Sequence, residues 1–178
     1  MLPFRRNTQQ KKYEQHMIRN ATPADIESIA AIYNEAILEG GLTGDLEPVS
    51  IESRRAWYSD HQAPYAIFVT VLDGAVVGYA AISPYRTGRG AFNETCEISY
   101  YLFREHRGRG FGKALINHAI DYARESGFRI VLAFILECNR RSIDVLMGLE
   151  FSIRGRLPDA ANINEEHVDH IYLARSLY

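Results

Sequence analysis

The sequence predicts a single mixed α/β domain, with a central sheet of about seven strands, part antiparallel and part parallel, flanked by helices. Three observations carry this. Tyr65–Leu72 and Val76–Ser83 are apolar runs separated by Asp73-Gly74, a dipeptide that closes a tight hairpin. The run Thr95–Phe103 leads through Arg107-Gly108-Arg109-Gly110-Phe111-Gly112-Lys113-Ala114 into a segment with Ile116, Ala119, Ile120 and Ala123 at i, i+3, i+4, i+7, so it reads strand, Gly-rich turn, helix. Arg129–Leu136, rich in Ile, Val, Leu and Phe, then completes a right-handed βαβ crossover.

The other elements follow in order. Met17–Asn20 reads as a short first strand. Thr22-Pro23-Ala24-Asp25 is a helix start, with Thr as N-cap, Pro at the first helical position and an acid at the third. That helix buries Ile26, Ile29, Ala30, Tyr33 and Ile37 and ends at Gly40-Gly41. The loop Leu42–Pro48 leads to a second helix capped by Ser50 and carrying Trp57. Pro84–Gly90 is a loop. After the fifth strand come a short helix from Arg140 to Met147, a strand from Phe151 to Leu157, a polar loop from Pro158 to Glu165, and a last strand from Val168 to Leu173.

With 178 residues, 47% of them hydrophobic, the chain can bury a core of its own. The formal net charge of -2 gives no support for general nucleic-acid binding, and no apolar run is long enough to span a membrane. Cys96 and Cys138 make no disulfide framework, which suits a reduced, cytoplasmic setting. Residues 1–16 carry Arg5, Arg6, Lys11 and Lys12 without a continuous apolar stretch, and are expected to form a basic, flexible arm rather than a secretion signal. His167 and His170 are three apart on an expected strand, so they face opposite sides, and no metal site is expected.

The Gly-rich turn is a phosphate cradle by chemistry. Glycines let backbone N–H groups converge and an anion approach, the following helix presents its positive end, and Arg107, Arg109 and Lys113 add charge. A magnesium-nucleotide site needs Gly-x-x-x-x-Gly-Lys-Ser/Thr. Here Ala114 stands where the hydroxyl belongs, and Arg107 where the first glycine belongs. A dinucleotide site needs its glycines at the head of a parallel sheet, whereas these follow an antiparallel meander.

The spacing Arg107-x-x-Gly110-x-Gly112 resembles the coenzyme A-binding signature of the GNAT-type N-acetyltransferases, and the element order resembles their fold. From Met17 onward the chain is similar to the phosphinothricin acetyltransferase-like branch, through Tyr33–Ile37, Thr43, Glu47-Pro48, Arg54–Trp57, Gly78–Ala80, Ser83–Arg86, Thr95–Ser99, Asn139–Ile143 and Asp169. The resemblance implies an N-acetyltransferase domain over 17–178, acetyl-coenzyme A as cosubstrate, and a cofactor set of Tyr100, Tyr101, Leu102, Arg107, Gly108, Arg109, Gly110, Phe111, Gly112, Lys113, Asn139 and Ser142. It places the pantetheine arm where the strands ending at Phe103 and Glu137 splay, with a backbone N–H near Leu102 for the oxyanion. It also implies a small-molecule amine substrate, met by Thr43, Tyr85 and Arg86, and a homodimer.

Glu97 is the expected general base. It stands in an otherwise uncharged strand, where burial would raise its pKa, and it matches the family's glutamate. The alternative role is a structural ion pair with a cation such as Arg86. Asn139 is both a helix N-cap candidate and a cofactor ligand candidate. No general acid is evident: the position where the branch has His is Leu146, leaving Tyr85, Tyr101 or water. Where the branch carries a Gly-x-Lys-Phe-Gly-Arg-Trp block, this chain has Ala161–His167 with Glu165 and Glu166. Gly44 replaces a Phe, and Glu150 a glycine. Losing two cations and gaining two anions points away from phosphinothricin, toward a neutral or cationic amine. A non-catalytic acetyl-coenzyme A sensor is the alternative function.

Overall fold

The computed structural model describes residues 16–178, so the basic-arm expectation for 1–16 lies outside the described residues except for His16. Seven strands form one sheet: β1 (His16–Asn20), β2 (Ala66–Leu72), β3 (Ala75–Pro84), β4 (Thr95–Leu102), β5 (Ile130–Leu136), β6 (Ser152–Ile163) and β7 (Glu166–Ser176). Their spatial order is β1-β2-β3-β4-β5-β7-β6, and β4–β5 is the parallel pair. Helices α1 (Ile26–Glu39) and α2 (Ile51–Asp60) cover one face through a core that includes Ile29, Ile32, Val69 and Tyr79. Helices α3 (Phe111–Glu125) and α4 (Arg140–Met147) cover the other, where Leu115, Ile116, Ala119, Ile120 and Leu146 pack on Val131, Ala133 and Leu173. The expected element order is present throughout.

The start of the first helix is pinned by charge. Arg19 donates to both Asp25 carboxylate oxygens at 2.7 and 2.9 Å, and the Thr22 amide donates to the same carboxylate at 2.7 Å. The Arg19 bond, helped by the Thr22 bonds, holds the Asp25 carboxyl at about 2, below its usual range. A depressed folded-state pKa means this stabilisation is full above the ordinary carboxylate pKa and is lost as pH falls toward about 2. Asp25→Asn is therefore expected to cost about 2 kcal/mol in neutral denaturant melts, since hydrogen bonds to a charged group are being lost. That deficit should shrink as the pH is lowered from about 4.

One expectation fails. The polar loop set at Pro158–Glu165 is instead the tip of a long hairpin, since β6 runs on to Ile163 and β7 begins at Glu166. Ala161, Asn162 and Ile163 pair with Val168, His167 and Glu166. Asn164 and Glu165 both have positive φ, 52° and 68°, which is the twist a two-residue hairpin turn needs. A bulge between Leu157 and Ala161, with Asp159 at φ 51°, absorbs the low strand propensity of the segment.

Strands β3 and β4 meet closely. A Cβ on Gly78 would lie 2.7 Å from Leu102 Cγ and 2.9 Å from the Tyr101 carbonyl oxygen. Glycine there lets the end of β4 sit flat before the chain turns into the cradle.

Candidate active site

Parallel pairing of β4 with β5 is brief: Thr95–Ile130, Cys96–Val131 and Glu97–Leu132, and no further. Beyond Glu97 the strands part, so the β4 edge from Ile98 to Leu102 faces an opening instead of a neighbour. Glu97 stands on the last rung. It is half-buried, and among the described residues its carboxylate takes part in no hydrogen bond or ion pair. Burial alone pushes its pKa up. The alternative pairing with Arg86 does not form, because the Arg86 guanidinium lies over the Tyr85 ring at 5.2 Å.

The splay opens into a cleft of about 580 Å³, a volume typical of small-molecule sites. Ten predicted cofactor residues line it: Tyr100, Tyr101, Leu102, Arg107, Gly108, Gly110, Gly112, Lys113, Asn139 and Ser142. Gly110 is the N-cap of α3 at φ 90°, and Gly108 also has positive φ, 81°. The amides of Gly108, Gly110, Phe111, Gly112 and Lys113 have no acceptor among the described residues. Convergent free amides at a helix N-terminus are an anion receptor. Asn139 fills its structural role as well, its side chain accepting from the Ser142 amide at 3.2 Å.

The charges differ from expectation. Arg107 does line the cleft, but its guanidinium is held by both Glu39 carboxylate oxygens at 2.9 and 2.8 Å, and its Nε donates to the Leu102 carbonyl. Its charge ties the cradle to α1 and is not free for a phosphate. Arg109 lies outside the cleft lining, with its guanidinium 5.1 Å above the Phe111 ring. The Phe111 side chain packs with Leu72, Val77 and Leu102, so only its amide can serve the cradle. The cations lining the cleft besides Arg107 are Lys113, Arg140 and Arg141, and Arg141 Nη2 would be 3.2 Å from a Cβ on Gly108. Arg140 and Arg141 open α4 beside the cleft although they are thirty residues from the Gly-rich turn in sequence, and the motif spacing carries no signal for that approach.

On the α1/α2 face, β3 and β4 present Tyr79, Ala81 and Ser83 opposite Tyr101, Ser99 and Glu97. Arg54, Trp57 and His61 run along this strip at i, i+3 and i+7. The His61 ring lies 4.5 Å from the Trp57 ring, tilted by 57°. Its Nδ1 is 2.7 Å from the Trp57 carbonyl, which can only accept, so Nδ1 carries the proton and Nε2 accepts from Ser83 Oγ at 2.9 Å. Thr43 hydrogen-bonds the Tyr33 hydroxyl at 2.8 Å. Tyr85 stacks on Phe134 at 6.1 Å, and Phe134 in turn meets Tyr172 at 5.0 Å, so these rings form a partly open aromatic wall beyond Glu97. Thr43, Tyr85 and Arg86, the expected substrate residues, do not line the cleft. Among the described residues no group of three or more His, Cys, Asp or Glu side chains is placed to hold a metal, and no helix is long and apolar enough to cross a membrane.

The sequence model of the acetyltransferase (GNAT) family matches residues 27–151, which span β2 to β5, the cradle and α4. The chain belongs to this family. The L-amino acid N-acyltransferase MnaT of Escherichia coli is 34% identical over 142 residues, covering 79% of this chain and 82% of the relative. An L-methionine sulfoximine/L-methionine sulfone acetyltransferase of Pseudomonas aeruginosa is 35% identical over 143 residues, covering 79% and 83%. A GNAT superfamily phosphinothricin acetyltransferase from Sinorhizobium meliloti, solved in complex with AcCoA, superposes with a TM-score of 0.87 at 31% identity, covering 90% of this chain and 88% of that one.

Against this GNAT frame the cradle fits a pyrophosphate: free amides, glycines where side chains would intrude, and Lys113 with Arg141 at the rim. The missing acid also has a structural explanation. Leu146 is fully buried in the core beneath α3, so its side chain serves packing and not the cleft. Of the two tyrosines considered as acids, Tyr101 lines the cleft and Tyr85 does not.

Proposed function

We propose that the protein is an acetyl-coenzyme A-dependent N-acetyltransferase acting on the primary amine of a small, amino-acid-like molecule. The observation that carries this is the position of Glu97. It is an unpaired, half-buried carboxylate on the last β4–β5 rung, three residues before the Tyr100–Leu102 stretch of β4 that lines the cleft with the amide cradle, and does not itself line that cleft. The amides of residues 108 and 110–113, with Lys113 and Arg141, hold the pyrophosphate of the cosubstrate. The free edge of β4 at Tyr100–Leu102, with Asn139 and Ser142, guides its arm toward Glu97.

Glu97 accepts a proton from the attacking amine, directly or through water. Transfer forms the nitrogen–acetyl bond and breaks the acetyl–sulfur bond. Tyr101, whose phenol burial keeps protonated at neutral pH, or water supplies the proton to the departing sulfur. The amide strip of β4 near Leu102 faces the oxygen that gains charge, and donors of this kind are worth about 3 kcal/mol each in other acyl-transfer sites. The relatives acting on amino acids support the acceptor class. Homodimerisation, which rests on the resemblance, and a cytoplasmic location, which rests on the two unframed cysteines, belong to the same reading.

The test is thiol release from acetyl-coenzyme A with a panel of L-amino acids and simple amines. Turnover with at least one amino acid is expected. Tight cosubstrate binding without turnover for every amine would instead support the sensor reading. Phosphinothricin is expected to be a poor acceptor, since the hairpin tip offers Glu165 and Glu166 instead of cations. A specificity constant matching that of the best amino acid would overturn that expectation.

A further inference from the structure

Arg54 is 7% exposed, yet no carboxylate lies within ion-pair distance of it and no hydrogen bond engages its guanidinium among the described residues. Its Nε is buried and unpartnered, while Nη1 and Nη2 keep access to solvent. Aromatic faces hold it in place, with the Tyr33 ring 4.1 Å and the Trp57 ring 4.6 Å from Cζ. Such faces attract the charge but leave its N–H donors unsatisfied. Asp45, the nearby acid, is engaged by the Tyr33 hydroxyl at 2.7 Å. A buried guanidinium with free forked donors is built for a planar anion that arrives from outside.

Its location says which anion. Tyr33 meets Tyr101 edge-on at 5.0 Å, and Tyr101 lines the cleft and shares its sheet face with Glu97. Arg54 therefore stands on the same sheet face as the base, over its Tyr79–Tyr101 end. We propose that Arg54 is the carboxylate receptor of the acceptor site: it takes the carboxylate of an α-amino acid while the amine points to Glu97 and the side chain meets the aromatic wall. This rests on the acetyltransferase reading and deepens it. It also reconciles two features. The hairpin tip at 161–167 carries Glu165 and Glu166 and no Lys or Arg, so it favours an acceptor with one carboxylate and an uncharged side chain.

The test compares L-methionine with 3-(methylthio)propylamine, the same skeleton without the carboxylate. The wild type should prefer L-methionine by about 30-fold or more in kcat/KM, the scale of a buried charge contact. In Arg54→Gln that preference should collapse toward one, with the loss carried by KM and not by kcat. An equal fall for both substrates, or an undiminished preference, overturns the proposal. Should Arg54→Gln fail to fold, Arg54→Lys keeps the charge and stem but not the fork, and a lowered preference is still expected. Trp57 is the single tryptophan, so its fluorescence reports on this site without turnover. Saturable quenching by L-methionine in the wild type but not in Arg54→Gln supports the receptor even if no amine is acetylated. No saturable change in the wild type overturns it, whatever the fate of the enzymatic reading.

Discussion

Glu97→Gln is expected to lower kcat by roughly 10²- to 10⁴-fold, the range a positioned general base supplies. The substitution is nearly isosteric and leaves the β4–β5 rung intact, but an amide cannot accept the amine's proton. Acetyl-coenzyme A affinity should be unchanged, because Glu97 is not among the residues that line the cleft. The pH profile adds a second readout. Burial raises the Glu97 pKa, so the wild-type rate should fall on the acid side with an apparent pKa above the ordinary glutamate value, and that limb should vanish in the variant. Stability should move the other way. A raised folded-state pKa means the folded protein holds the proton more tightly than the unfolded chain, so the ionised carboxylate lowers stability above the folded pKa and has no effect below the unfolded one. Glu97→Gln should therefore melt no lower than wild type at neutral pH, with any gain fading toward pH 4. Full activity in the variant would remove Glu97 from the chemistry.

How much of this was legible in the sequence depends on the scale of the cause. The β2–β3 hairpin, the cradle and the crossover rest on local signals: Asp73-Gly74, the glycine spacing and the helical period after it. Local signals suffice for the backbone. The β6–β7 tip rests instead on Asn164 and Glu165 accepting positive φ, and Glu gives no hint of that. The charges of the cradle were the least legible part. Arg107 reads as a phosphate cation, yet Glu35 and Glu39, one turn apart on α1, face it from nearly seventy residues away in sequence. Arg54 reads as an ordinary polar position on a short surface helix. Its burial becomes intelligible only once Tyr33 and Trp57 close on it from two helices. The i, i+3, i+7 spacing of Arg54, Trp57 and His61 was the one available signal, and an apolar reading of Trp57 alone concealed it.

The cradle permits the second large effect. Gly110→Asp is expected to weaken acetyl-coenzyme A binding by about 100-fold or more while α3 survives. Asp is a preferred N-cap, and its carboxylate would accept from the amides of Gly112 and Lys113, the donors now free for a phosphate. The new group therefore competes for the same N–H groups and also repels the incoming anion. Losing two such charge-assisted bonds, at about 1.5–3 kcal/mol each, accounts for a change of that size. The φ of 90° at Gly110 strains any side chain, and Asp tolerates the left-handed region better than most. Calorimetric titration with acetyl-coenzyme A measures the loss, and a thermal melt controls for folding. Gly110→Ala separates the contributions, because it keeps the strain without the carboxylate. If the cradle acts through its amides, Ala should weaken binding far less than Asp. If Ala and Asp weaken binding equally, backbone shape and not the free N–H array governs the site.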